Sequence, residues 1–173
     1  GSSAGLAALG VSLGAAAARF EDLVVHGNAA PRGGGMSVAG VMEAWFTNST
    51  FEYNGRLSAD LGLTIAETKN VRDGAESVTL EGGALLCFGG ASLRLSDVRF
   101  SANLAKLGGG LSLGTLTGAD SGGCSMGADS MQCYANSAVE SEAWPCGGGC
   151  AYVGATSSLQ LHNSSIYANQ APR

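Results

Sequence analysis

The residues of this chain best suited to covalent or metal chemistry are five cysteines, Cys87, Cys124, Cys133, Cys146 and Cys150. Four of them fall in the last third of the chain, which points to disulfides that pin loops and to an oxidising compartment. Four cysteines allow three pairings. Proximity in sequence favours Cys124 with Cys133 and Cys146 with Cys150, leaving Cys87 as a buried thiol. Zinc is the rival reading, but it lacks a C-x2-C pair and has no nearby histidine. A second set, Asp60, Glu67, Asp73, Glu76 and Glu81 with Arg56, Lys69 and Arg72, has the residue types of acid–base chemistry. A run of this kind reads as a solvated charged loop. His26 and His162 read as surface residues. Asn48-Ser49-Thr50 and Asn163-Ser164-Ser165 are N-glycosylation sequons, candidate acceptors in a eukaryotic source, although Asn at a bend needs no glycan.

The composition restricts what these groups can serve. Only 13% of residues are charged, the formal charge is −5, and Lys occurs only at 69 and 106. With no basic run, binding to nucleic acid or to an anionic membrane surface is not expected. No apolar stretch approaches the roughly 20 residues of a membrane-spanning helix. Gly is 28 of 173 residues, well above the ordinary share of about 7%. That excess fits a backbone that turns often, and it excludes an α-helical solenoid.

The elements that would position these groups are read from an internal repeat. Pairs of glycines open apolar segments at Gly34-Gly35, Gly82-Gly83, Gly109-Gly110 and Gly148-Gly149. An eleven-residue block occurs five times and ends on Asn28, Asn54, Asn103, Asn136 and Asn169. Its third position holds Phe20, Phe46, Leu95, Ala128 and Leu161. Its fifth holds Asp22, Asn48, Asp97, Ser130 and Asn163, small polar residues that mark a bend. Its eighth holds Val25, Phe51, Phe100, Cys133 and Ile166. Alternation such as Leu93-Arg94-Leu95 and Leu159-Gln160-Leu161 marks strands with one buried face. The spacing gives a unit of about 27 residues, with extra residues confined to three gaps, as in repeat stacks. The gaps follow Asn54 (the insertion 55–81) and Asn136, and lie between Gly110 and Met126.

A single unit of short strands and bends cannot pair its own backbone or bury its apolar stripe. A second unit stacked in register at about 4.8 Å does both. The expected fold is therefore all-β, a right-handed parallel β-helix of about five coils with loop insertions, forming one segment over 1–173. The eighth positions should form an inner stripe and the asparagines a ladder of side-chain amides bonded to neighbours or to turn backbone. The glycine pairs should supply restricted turn geometry or close backbone approach.

Stacking also bears on catalysis. Asp22 and Asp97 share the bend position but lie two coils apart, near 10 Å, with Asn48 between them. That is too far for a retaining carboxylate pair and marginal for an inverting one. Tandem calcium-binding nonapeptides, a threonine ladder and a phosphate loop are absent from the sequence. No catalytic, metal or cofactor residues are assigned.

Gly82-Gly83-Ala84-Leu85 followed by Phe100-x-x-Asn103 resembles the paired GGA[ILV] and FxxN motifs of the chlamydial polymorphic outer membrane protein repeat family. Phe51-x-x-Asn54 is a second match to the short motif. Val25, Cys133 and Ile166 replace Phe in the other copies, and three glycine pairs lack the following Ala. The resemblance covers residues 18–173 and implies a right-handed β-helix at a cell surface. Such repeats form adhesive autotransporter passengers in bacteria and occur in large extracellular proteins of algae and protists. The chain starts and stops within the repeat pattern, so the expectation is a segment of a longer repeat protein.

The expected role is a structural or adhesive segment of a secreted or cell-surface protein, acting as a spacer or in filament assembly, with 55–81 as a contact surface. Its expected partners are other protein chains, further coils of the same chain, or surface glycans. The alternatives are a carbohydrate-active β-helix enzyme and a non-catalytic glycan-binding module.

Overall fold

The computed structural model describes residues 17–30, 32–40, 43–55, 81–115, 122–139 and 147–171. These residues form β-strands joined by bends, and every strand pairing is parallel. The first sheet has the order β1 (Ala17–Glu21), β4 (Glu43–Thr47), β7 (Ser92–Ser96), β11 (Ser125–Asp129) and β15 (Ser158–His162). The second runs β2 (Val24–His26), β5 (Thr50–Glu52), β8 (Arg99–Ser101), β12 (Gln132–Tyr134) and β16 (Ser165–Tyr167). The third runs β3 (Met36–Ala39), β6 (Leu85–Phe88), β10 (Leu111–Leu113) and β14 (Ala151–Val153). A two-stranded sheet pairs β9 (Leu104–Ala105) with β13 (Ser137–Ala138).

Parallel neighbours cannot be joined by a tight hairpin and need a crossover. Here the crossover from one strand of a sheet to the next is made by strands of the other sheets. From β1 the chain passes through β2 and β3 before reaching β4, and it repeats this circuit in each layer. Equivalent asparagines lie 26, 49, 33 and 33 residues apart. The smallest repeat is thus 26 residues, and the extra lengths fall in the three gaps read from the sequence. Most of the insertion 55–81 lies outside the described residues.

Alternation explains which side chains are buried. In β7, Leu93 and Leu95 point inward while Arg94 points out. The register stacks Phe20, Phe46, Leu95, Ala128 and Leu161 in one column. Val25, Phe51, Phe100, Cys133 and Ile166 form a second. Phe51 and Phe100 stack at 5.1 Å between ring centroids, and Phe20 and Phe46 at 4.8 Å. Full burial of an aromatic or aliphatic side chain stabilises by about 1.5–3 kcal/mol, so these columns hold the layers together. The third sheet differs, because β6 and β10 are buried on both faces.

Left-handed bends recur at equivalent positions of successive circuits. The fifth-position residues Asp22, Asn48, Asp97, Ser130 and Asn163 have φ between 46° and 57°. Asx residues tolerate this region because their side chains bond locally. A second column of positive φ, at Gly27, Tyr53, Ala102, Ala135 and Ala168, carries no such sequence mark.

The glycine phase needs correction. Backbone hydrogen bonds align Gly33 with Gly82, Gly108 and Gly148, and Gly34 with Gly83, Gly109 and Gly149. The pairs Gly34-Gly35 and Gly109-Gly110 are therefore one residue out of phase with Gly82-Gly83 and Gly148-Gly149. The first column has φ from 62° to 67°. The second is closed to side chains by packing. A Cβ on Gly83 would run into the carbonyl oxygens of Gly109 and Leu104, and one on Gly149 into that of Gln170. The third position tolerates a side chain and holds Gly35, Ala84, Gly110 and Cys150.

Candidate functional site

The most ordered polar constellation is the asparagine ladder, which follows the second bend of each layer. The Nδ2 of Asn54 donates to Asn103 Oδ1 at 3.0 Å, that of Asn103 to Asn136 Oδ1 at 2.9 Å, and that of Asn136 to Asn169 Oδ1 at 3.0 Å. Asn28 begins the series with a longer bond to Asn54 Oδ1, 3.3 Å. Each Oδ1 so used also accepts the backbone N–H of the preceding asparagine. Each Nδ2 from Asn54 onward donates as well to the carbonyl of the eighth-position residue one layer back: Val25, Phe51, Phe100 and Cys133. Asn54, Asn103 and Asn136 are buried. A carboxamide suits this site because it offers donors and an acceptor without charge, so burial costs no ion desolvation.

Two disulfides cross the interior, Cys87–Cys124 and Cys133–Cys150. The pairing by proximity is thereby corrected: Cys124 does not join Cys133, and Cys87 is not a free thiol. Cys146 lies outside the described residues. The geometry explains the partners. A Cβ on Gly110 would point at Cys133 Sγ, and one on Gly35 at Val25 Cγ1. The third position thus faces the eighth-position column, and Cys150 occupies that position opposite Cys133. Cys87 lies on the inner face of β6, and Cys124 immediately precedes β11, with Cα–Cα distances of 5.8 and 5.9 Å in the two bridges, inside the normal disulfide range. Each bridge encloses one of the shorter insertions, after Leu113 and after Asn136. Persistent structural disulfides are a mark of oxidising compartments.

The outer face of the first sheet carries a charged and aromatic cluster. Register places Trp45 between Arg19 and Arg94. The Arg19 guanidinium lies 4.4 Å from the Trp45 ring centroid and that of Arg94 at 5.8 Å, while Arg94 Nε also pairs with Glu43 at 2.9 Å. Cation–π contacts at such exposed positions contribute about 0.5–1 kcal/mol each.

Among the described residues the carboxylates do not converge. Asp22, Asn48 and Asp97 follow one another in the bend column, and Asn48 Nδ2 donates to Asp22 Oδ1 at 2.6 Å. Asn163, the second sequon asparagine, donates to Asp129 Oδ1 at 3.0 Å. Both sequon asparagines are exposed at the bend. His26 and His162 are exposed on different sheets. Glu81 is a correction: it is buried, forms parallel bridges with Arg32 and Leu107, and its Oε2 accepts from Arg32 Nε at 3.0 Å. It belongs to the stack ahead of the glycines, where the ion pair offsets its desolvation. Asp60, Glu67, Asp73, Glu76, Arg56, Lys69 and Arg72 lie outside the described residues. Among the described residues, no group of three or more His, Cys, Asp or Glu side chains is placed to hold a metal ion.

The chain matches no protein-family model, no curated protein and no solved structure.

Proposed function

We propose that the layers form a right-handed parallel β-helix, and that this helix is a structural or adhesive segment of a secreted or cell-surface repeat protein. The resemblance of Gly82-Gly83-Ala84-Leu85 and Phe100-x-x-Asn103 to the chlamydial polymorphic outer membrane protein repeats supports the same reading. The observation that carries it is the repeated use of one interface. Every layer presents the same apolar column and the same asparagine to its neighbour, an arrangement that builds length and stiffness. The two disulfides favour an extracellular location. Its partners are further coils or other protein chains, with surface glycans as a second class.

A sugar-stacking site at Trp45 is disfavoured, because guanidinium groups flank its ring on both sides along the stack. The test is localisation in the native organism combined with activity assays. Labelled antibody against this segment should decorate the outer surface or extracellular matrix of intact cells. The purified protein should leave acidic and neutral polysaccharides uncleaved. Labelling only inside permeabilised cells, or release of new sugar ends that is lost on mutation of Asp97, would overturn the proposal.

A further inference from the structure

The outer wall of the second sheet carries a pair of phenols. Register sets Tyr134 of β12 beside Tyr167 of β16. Their rings stack at 5.2 Å between centroids, with 7° between the ring planes. Alternation puts both side chains outside the coil, because Cys133 and Ile166 before them belong to the inner column. Stacking turns the ring faces toward each other and leaves the ring edges and hydroxyls outward. Tyr167 is 53% exposed, and Tyr134, on a strand between β8 and β16, is half-buried. Among the described residues neither hydroxyl takes part in a hydrogen bond. The other two of the four tyrosines stand apart. Tyr53 lies in the bend after β5, two layers from Tyr134, with its ring against His26, and Tyr152 lies in β14 of the third sheet. Neither disulfide reaches β15 or β16, since Cys87, Cys124, Cys133 and Cys150 all precede them.

We propose that Tyr134 and Tyr167 are a site of oxidative modification, joined through their ortho carbons as a dityrosine that ties β12 to β16. The inference rests on the stacking of layers and takes its oxidant from the extracellular reading: hydrogen peroxide, used by a haem peroxidase. Each phenol loses one electron and its hydroxyl proton, which places radical character on the ring carbons ortho to the oxygen. One Cε of each ring then forms the new carbon–carbon bond. The hydrogen on each joined carbon moves to its phenol oxygen, restoring both aromatic rings and both hydroxyls. The net loss is two electrons and two protons, which reduce hydrogen peroxide to two waters. A radical on an isolated tyrosine must wait for a collision, whereas here the partner ring is already in place and coupling is effectively unimolecular. The bond closes the loop between the two residues and, like a disulfide, removes freedom from the unfolded chain.

Purified protein treated with a haem peroxidase and hydrogen peroxide should give a fluorescent monomer lighter by two hydrogen atoms, in a yield that dilution does not lower. After reduction of the disulfides, cleavage at Glu140 and Glu142 separates Tyr134 from Tyr167 unless the two are joined, and the joined peptides should be recovered. Tyr134→Phe and Tyr167→Phe keep a ring in the stack and should each abolish this product, with circular dichroism checking that both variants fold. Tyr53→Phe and Tyr152→Phe should leave it unchanged. Protein isolated from its native surface should carry the same joined peptides. Absence of the monomeric product, coupling only between chains, coupling that maps to Tyr53 or Tyr152, or a product that survives Tyr134→Phe overturns the proposal. Native protein recovered from the cell surface with both tyrosines unmodified overturns it too and leaves the surface reading standing. Native protein found only inside permeabilised cells overturns the extracellular reading, and with it the source of the oxidant.

Discussion

The same repeat positions behave differently in the middle of the stack and in its last layer. Phe100 and Cys133 are fully buried, yet Ile166 in the same column is half exposed; Asn103 is buried, while Asn169 is only partly so. Nothing in the residue types accounts for this, since Ile is among the most readily buried residues. The difference teaches that burial here is conferred by the following layer, and that each layer is incomplete without its neighbour.

That contrast can be broken or sharpened by substitution. The largest effect is expected at the apolar column: Phe100→Ala should cost about 3–5 kcal/mol by creating a cavity between layers, and Ile166→Ala below about 1 kcal/mol because little surface is lost from burial. Equilibrium denaturation of both variants checks the pair, and similar losses would erase the distinction. Next comes the ladder. Asn103→Ala strands the Asn54 donors and the Phe51 carbonyl, at about 1–3 kcal/mol for each group left buried and unsatisfied. Asn169→Ala should fall below about 1 kcal/mol. Removing one bridge by Cys87→Ala with Cys124→Ala should lower stability by about 2–4 kcal/mol. Peptide mapping of the unsubstituted protein under non-reducing conditions should recover Cys87 with Cys124 and Cys133 with Cys150. The smallest effect is a gain. Ala102 has a φ of 53°, and Ala102→Gly should relieve a left-handed penalty of about 1 kcal/mol, raising the thermal midpoint slightly. A clear loss would show that the bend needs its Cβ.

Much of this was legible in the sequence wherever a residue type answers to one physical demand. The five asparagines and the apolar eighth positions mark columns that coincide with the structural register, and the small polar fifth positions mark real left-handed bends. What could not be read had more than one solution or no local signature. Gly33 to Gly35, Gly108 to Gly110 and Gly147 to Gly149 are runs of three glycines, so two phases fit the sequence equally, and the backbone register with the positive φ of Gly33, Gly82, Gly108 and Gly148 decides. The second bend falls on Tyr53, Ala102, Ala135 and Ala168, residue types with no preference for that region, held there by the layers on either side. The disulfides follow facing directions across the interior, which proximity in sequence does not encode. Glu81 looks like part of a charged loop until Arg32, 49 residues away, is brought beside it by stacking.

The central claim is that equivalent positions of successive layers lie one above another. The most direct measurement is a set of nuclear Overhauser contacts in solution along the eighth-position column and the asparagine ladder. Phe51 and Phe100 ring protons, with centroids 5.1 Å apart, should show strong contacts. Val25 should contact Phe51, and the side-chain amides of Asn54, Asn103 and Asn136 should exchange slowly with solvent. Absence of the Phe51–Phe100 contact together with rapidly exchanging asparagine amides in the folded protein would contradict the stack.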